Sequence, residues 1–286
     1  MTQILLWLFF LTNQTLEKSI SQKICQPNQQ QSIYSLNDFT LTKPFNLNSN
    51  DFTAKSVLIK EIGGQTLYDS NADQRRPIAS LSKLMTALIS VQLYKPNQIF
   101  TINQKTINEY PGDIARLTVG EKLTRDDLLQ LALIGSSNNA AYALAQGLGV
   151  DKFVQIMNSQ AKSLGMNQTA YYEPTGLDPG NQSTLDNLYR LADFILRDYP
   201  QIFAFSREDS FSVGPNSVIN IDYLLPYYKN IIIGSKTGYI GRASGENLIL
   251  ILKFKKSPFI FVGLLDSQNR DKDGEYIIKK LQDYYE

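Results

Sequence analysis

The stretch PIASLSKLMTAL, Pro77 to Leu88, decides how the chain is read. Leu81, Leu84, Met85, Leu88 and Ile89 recur at i, i+3, i+4, i+7 and i+8, one face of an amphipathic helix, with Pro77 just before its expected N-terminus. Ser80 and Lys83 interrupt the apolar run three residues apart. Side chains at that spacing leave a helix from neighbouring positions on one side, so a hydroxyl and an amine come within reach of each other. A serine hydroxyl is a weak nucleophile until a nearby base takes its proton. At the head of a helix it also has backbone N–H groups aimed at the oxygen that turns anionic during acyl transfer.

The chain has 286 residues and no histidine. That absence removes a Ser-His-Asp triad, an HExxH zinc site and any imidazole base, leaving proton transfer to lysine, carboxylate or tyrosine. For Lys83 to serve, it must be neutral. Free lysine titrates at about 10.4, and bringing that near 7 takes roughly 4–5 kcal/mol from burial and from a second cation close by. Cys25 is the single cysteine, so neither an intrachain disulfide nor a thiolate metal cluster is available. Lysine plus arginine (28) nearly cancels aspartate plus glutamate (27), which gives no field and no basic run for nucleic acid. With 43% hydrophobic and 19% charged residues, the chain is globular and has enough apolar surface for one large core or two small ones.

Residues 1–51 read as a leader or N-terminal tether. ILLWLFFL (Ile4 to Leu11) is too short for a spanning helix but matches the apolar part of an export signal, atypical in having no preceding lysine or arginine. Gln, Asn, Ser and Thr then dominate to about Asp51, and the folded domain is expected over 52–286. Lys55–Ile62 and Gln65–Tyr68 read as strands joined through Gly63-Gly64. Helical patterns follow at Arg125–Ile134, Asn138–Gln146, Lys152–Leu164 and Leu185–Arg197. NIIIGSKTG, ENLILILKF and PFIFVGLLD return to strand patterns, and Asp271–Tyr284 is helical again. The expected fold is α/β of the α+β kind: an antiparallel sheet built from both chain ends, flanked by helices, with a mostly helical lobe inserted.

Taken alone, Ser-x-x-Lys decides nothing. A second copy, Ser159 to Lys162, reads as an exposed helix face without chemistry. What gives the first copy meaning is an ordered set: IASLSKLMT, then LALIGSSNNAAYALAQ with Ser136-Ser137-Asn138, then IGSKTGYIGRASGENLIL with Lys236-Thr237-Gly238 at the end of a strand. The set resembles the three motifs of the penicillin-recognising serine enzymes. From about Ala54 to Lys280 the chain is similar to the serine-type D-alanyl-D-alanine carboxypeptidases, the low-molecular-weight penicillin-binding proteins. FVQIMNSQAKSLGMNQTAYYEPTGLD, NIDYLL and KTGYIGRASGENL carry that likeness beyond the triplet.

The resemblance implies a β-lactamase/transpeptidase-like fold and a role for each position. Ser80 is the acylated nucleophile and Lys83 its base. Ser136 passes the proton toward the leaving amine, and Asn138 binds the substrate's peptide amide. Lys236 supplies positive potential for the substrate's terminal carboxylate and for keeping Lys83 neutral, and Thr237 bonds that carboxylate. The backbone N–H groups of Ser80 and Tyr239 form the oxyanion hole, with Gly238 letting the strand approach. Arg270 assists carboxylate recognition. The implied reaction is hydrolysis of the terminal D-Ala-D-Ala bond of peptidoglycan stem peptides, outside the cytoplasmic membrane. It needs no metal or organic cofactor. β-Lactam antibiotics are the expected covalent inhibitors, and membrane contact is expected only through the N-terminus. D,D-endopeptidase action on cross-links uses the same machinery and stays open.

The second motif reads Ser-Ser-Asn-Asn where the carboxypeptidases usually have Ser-Gly-Asn-Asp, and two departures bear on the cleft. Ser137 adds a side chain where glycine is usual, a change that would either narrow the cleft or alter rates. Glu173 replaces an asparagine, which invites comparison with the loop glutamate of class A β-lactamases, although the accompanying Leu-Asn pair is missing. These departures keep two further readings open, a β-lactamase and a wall-peptide binding module without turnover.

Overall fold

The computed structural model describes residues 44–285. The apolar run Ile4–Leu11, Cys25 and most of the expected leader lie outside the described residues. A five-stranded antiparallel sheet runs in the order β2-β1-β11-β10-β9. Its strands are β1 (Ser56–Glu61), β2 (Thr66–Ser70), β9 (Ile232–Tyr239), β10 (Glu246–Lys253) and β11 (Phe259–Ser267), with short pairs β3–β6 (Arg76–Pro77, Gln182–Ser183), β4–β5 (Ile99–Thr101, Lys122–Thr124) and β7–β8 (Ser210–Val213, Asn216–Ile219) elsewhere. The register places Ile59 opposite Val262 and Leu248 opposite Thr237, so the two chain ends meet in one sheet as expected.

The near-continuous apolar runs of β10 and β11 follow from burial on both faces. Alternate residues go to opposite cores: Ile249, Ile251 and Phe261 join the core of the helical lobe, whereas Leu248, Leu250, Val262 and Leu264 pack with Ile277, Ile278 and Leu281 of the terminal helix. The helices are α1 (Lys83–Leu93), α2 (Gln104–Glu109), α3 (Arg125–Ile134), α4 (Asn138–Gln146), α5 (Val150–Ser163), α6 (Leu185–Asp198), α7 (Gln201–Ser206), α8 (Leu225–Tyr228) and α9 (Arg270–Tyr285).

Helix α1 is not amphipathic in the expected sense. Every residue from Lys83 to Ser90 is buried, because α1 forms the axis of the lobe and α3, α4, α5, α6 and α7 pack around it. Its polar residues find internal partners: Thr86 Oγ1 donates to Pro174 O at 2.6 Å and Ser90 Oγ to Thr86 O at 2.7 Å. Ser159 and Lys162 on α5 are both exposed, as read.

The packed chain starts upstream of the expected boundary at Phe52. Phe45 sets its ring edge against Tyr284 at 5.3 Å between centroids, and Tyr276 Oη donates to Asp51 at 3.0 Å. Composition alone hid this, since a few aromatic anchors among polar residues suffice to dock a segment. Asp273 ties the same region down. Its buried carboxylate accepts from Thr53 N at 3.0 Å, Ala54 N at 2.9 Å, Thr53 Oγ1 at 2.9 Å and Ser267 Oγ at 2.6 Å. Asp273→Ala strips several buried donors of one charged acceptor and is expected to destabilise the fold by about 3 kcal/mol, read as a lower urea midpoint with unchanged slope.

Candidate active site

Ser80 does not begin the α-helix, as its position after Pro77 suggested. It lies on a 3₁₀ turn, Ala79–Ser82, that leads into α1 at Lys83. The backbone at Ala79 has φ 49°, a left-handed conformation uncommon for a residue with a side chain. The neighbours explain how it is held. A Cβ on Gly176 would lie 1.9 Å from Ala79 O, and one on Gly238 would lie 2.8 Å from Ile78 O and 3.2 Å from Ser80 N. Two glycines therefore let a loop and the end of edge strand β9 press onto the backbone of residues 78–80. The chemistry expected of Gly238 is this approach.

Lys83 is 1% exposed, and its Nζ has three acceptors: Ser80 Oγ at 2.9 Å, Asn138 Oδ1 at 2.8 Å and Thr175 O at 2.8 Å. A neutral amine has two protons and one lone pair. With the protons on Asn138 Oδ1 and Thr175 O, which can only accept, the lone pair is left facing the Ser80 hydroxyl. The arrangement thus orients the base as well as placing it. Burial lowers Lys83 from the ordinary 10.5 to about 8, with the charges of Glu173 and Asp113 pulling the other way.

Lys236, on β9 and 2% exposed, donates to Ser136 Oγ and to Thr237 O, both at 3.0 Å. Burial pushes it well below the ordinary lysine range, and the charges of Lys83 and Arg270 push further, against Asp222. The sequence expectation is revised on one point. Burial is the main cause of Lys83's lowered proton affinity, and the mutual repulsion of the two lysines weighs on Lys236. An arriving carboxylate would return to Lys236 the stabilisation that burial removes.

Ser136, Ser137 and Asn138 form the turn from α3 into α4. Ser136 has φ 58°, a strained conformation for serine that presents its Oγ to Lys236. Ser137 does not narrow the cleft. It is fully buried, accepts from Ala140 N at 3.0 Å as the cap of α4, and donates to Asp113 Oδ1 at 2.6 Å. Asn138 engages Lys83 through its amide oxygen, a role the sequence reading did not give it. Thr237, Gly238, Tyr239 and Arg270 line one cleft of about 530 Å³ with Ser80, Ser136 and Asn138. Arg270 leads α9 and reaches Gly238 O at 3.5 Å, so Lys236 and Arg270 bring two cations to the end of β9.

Glu173 is committed to its own loop. Its carboxylate accepts from Thr175 N and Thr175 Oγ1 at 2.6 Å each, from Gly176 N, from Asn181 Nδ2 at 3.2 Å and from Tyr110 Oη at 3.3 Å. It shapes the turn that delivers Thr175 O to Lys83. Both of its oxygens are engaged by the loop's own donors, so its position lends the β-lactamase comparison no support. Thr175 and Asp113 are the site residues that sequence reasoning missed. One acts through a main-chain carbonyl and the other from a loop without periodicity, and only the tight Pro-x-Gly-Leu turn hinted at the first.

The family described as D-alanyl-D-alanine carboxypeptidase, peptidase S11, matches residues 42–268. The chain belongs to this family. It is 36% identical to the D-alanyl-D-alanine endopeptidase of Pseudomonas aeruginosa over 210 residues, 70% of this chain and 67% of that protein. Identity to the D-alanyl-D-alanine carboxypeptidase DacF of Bacillus subtilis is 28%, over 81% of this chain and 61% of the relative. Among solved structures, penicillin binding protein 6B from Escherichia coli superposes with a TM-score of 0.74 at 26% identity, covering 86% of this chain and 81% of the other. The peptidase S11 fold accounts for the sheet and the helical lobe, and it accounts for three motifs far apart in sequence converging on one cleft.

Proposed function

We propose that this protein is a serine D,D-peptidase that removes the terminal D-alanine of peptidoglycan stem peptides through an acyl-enzyme on Ser80. The observation that carries the reading is the buried contact of Lys83 Nζ with Ser80 Oγ at 2.9 Å, with two further acceptors fixing the amine. Ser80 Oγ attacks the carbonyl carbon of the penultimate D-alanine while its proton passes to Lys83. The resulting oxyanion lies between the N–H groups of Ser80 and Tyr239. Ser136, on the far side of the cleft, passes the proton held by Lys83 to the departing nitrogen as the C–N bond breaks, and terminal D-alanine leaves with Lys83 neutral again. Water then adds to the ester carbonyl as Lys83 takes its proton, and Lys83 hands that proton to Ser80 Oγ as the ester C–O bond breaks. Lys236, Thr237 and Arg270 receive the substrate's carboxylate, and the same cleft accepts β-lactams.

A second reading is D,D-endopeptidase action, favoured by the name of the Pseudomonas aeruginosa relative. Where the cross-link acceptor is diaminopimelate, its carboxylate lies on the carbon next to the scissile amide, as in a terminal D-alanine, so one carboxylate site serves both substrates. The wall peptide lies outside the cytoplasmic membrane, and that is where the protein acts. Among the described residues no helix is long and apolar enough to cross a membrane.

The test supplies the full chain with a pentapeptide ending in D-Ala-D-Ala and with a cross-linked dimeric muropeptide. Release of D-alanine with dimers left intact is expected, and Ser80→Ala should eliminate it together with labelling by a fluorescent penicillin. Dimer cleavage without D-alanine release would establish the endopeptidase instead. Turnover that survives Ser80→Ala would overturn both readings.

A further inference from the structure

Asp113 stands on the loop between α2 and β5, on the cleft wall beside Gly112 and Ile114. Its carboxylate reaches over to the first residues of α4. Oδ1 accepts from Ser137 Oγ at 2.6 Å, and Oδ2 accepts from Asn138 N at 2.6 Å and from Asn139 N at 3.4 Å. Oδ1 also closes its own turn by accepting from Ala115 N at 3.1 Å. Ser137 Oγ accepts from Ala140 N, so the early amides of α4 are satisfied by a relay of one carboxylate and one hydroxyl. A negative charge at a helix N-terminus is favourable in itself. Here it comes from a distant segment, and it grips the two residues that follow Ser136.

We propose that Asp113 is the positioning residue of the second motif: with Ser137 it locks the α3–α4 turn so that Ser136 meets Lys236 and Asn138 meets Lys83. The proposal deepens the acyl-enzyme reading and rests on it. It explains why a serine stands at 137, where its hydroxyl is buried and directed away from the cleft. It also makes the cleft wall at residues 110–114 part of the catalytic geometry, because moving that wall moves the acceptor that orients the base. The charged groups acting on Lys83 are Glu173 and Asp113, which favour its proton, while the repulsion between the two lysines weighs on Lys236.

The experiment measures the rate of acylation by a fluorescent penicillin across a pH series for wild type, Asp113→Ala, Asp113→Asn, Ser137→Gly and the Asp113→Ala/Ser137→Gly double variant. Asp113→Ala is expected to slow acylation about ten- to a hundredfold, the scale of hydrogen bonds lost from a charged acceptor. Ser137→Gly slows it too, and the double variant is little worse than Asp113→Ala, because the two act as one unit. Asp113→Asn keeps an acceptor oxygen but loses the charge. In either orientation its NH2 faces a backbone amide that cannot accept, so its alkaline plateau rate falls between those of wild type and Asp113→Ala, and its acid limb moves to lower pH because Lys83 gives up its proton more easily. A merely structural cap would lower the urea midpoint of Asp113→Ala and leave its alkaline plateau rate unchanged. Should Asp113→Ala fail to fold, Asp113→Asn and Ser137→Gly still decide. Effects that multiply in the double variant, or alkaline plateau rates in Asp113→Asn and Ser137→Gly equal to wild type, would overturn the proposal while leaving the Ser80 reading intact. Wild type that never labels would overturn the Ser80 reading first, and this proposal with it.

Discussion

Lys83→Met is expected to slow acylation of Ser80 about a thousandfold while the protein remains folded, within the range that a positioned general base contributes. Methionine fills nearly the same volume on a helix buried all round, so packing survives and the loss isolates the amine. The pH dependence of the wild type carries the same argument. The active form of Lys83 is the neutral one, and its proton affinity is lowered to about 8. Acylation should therefore fall about tenfold for each pH unit below that value and level off above it. Stability follows the same group with a defined sign. Between about 8 and the ordinary 10.5 the unfolded chain holds a proton on Lys83 that the folded chain has released, so folding becomes more favourable as pH rises through that window. Lys83→Met should lack that part of the rise. Acylation rates from penicillin labelling and urea melts on either side of pH 8 test both halves. A rate profile flat through pH 8, or a methionine variant that labels normally, would remove Lys83 from the role of base.

Much of this site was legible in the sequence, for a physical reason. Ser80, Lys83, Ser136, Asn138 and Lys236 belong to short motifs that the fold brings together at one cleft, and residue type and order expose such motifs. The sheet was equally legible, because apolar runs bounded by turn residues mark strands buried on both faces. What stayed hidden depends on the backbone and on long-range packing. The left-handed backbone at Ala79, just ahead of Ser80 on its 3₁₀ turn, is closely approached by two glycines distant in sequence. Thr175 contributes a carbonyl, which every residue has. Glu173, compared with a catalytic loop glutamate, and Ser137, compared with a glycine that leaves the cleft open, turned out to be internal partners, one closing a loop and the other capping α4. Side-chain identity alone gives no direction, and direction decided the role of both.

Gly176→Ala should be the most damaging single methyl group in the molecule. Gly176 has φ 91°, where an L side chain is strained by roughly 1–2 kcal/mol. That penalty would be shared by Gly63→Ala, since Gly63 has φ 71°, but a Cβ at Gly63 meets nothing within 4 Å. At Gly176 the added carbon would lie 1.9 Å from Ala79 O, 2.3 Å from Ala79 C and 2.8 Å from Ser80 N. All three are backbone atoms, so no side chain can swing aside, and either the 173–181 loop or the Ser80 turn must move. If the loop moves, Thr175 O leaves Lys83. If the turn moves, the nucleophile and its oxyanion donor leave the substrate. Gly63→Ala is expected to lose only the conformational term, about 1 kcal/mol, and to keep its acylation rate. Gly176→Ala is expected to lose about 3–4 kcal/mol in urea melts and about a hundredfold in acylation, the scale of a displacement near 1 Å at a reacting centre. Equal stability and equal labelling rates in the two variants would mean that this loop does not press on the nucleophile turn, and the close approach of Gly176 would no longer explain how Ser80 is held.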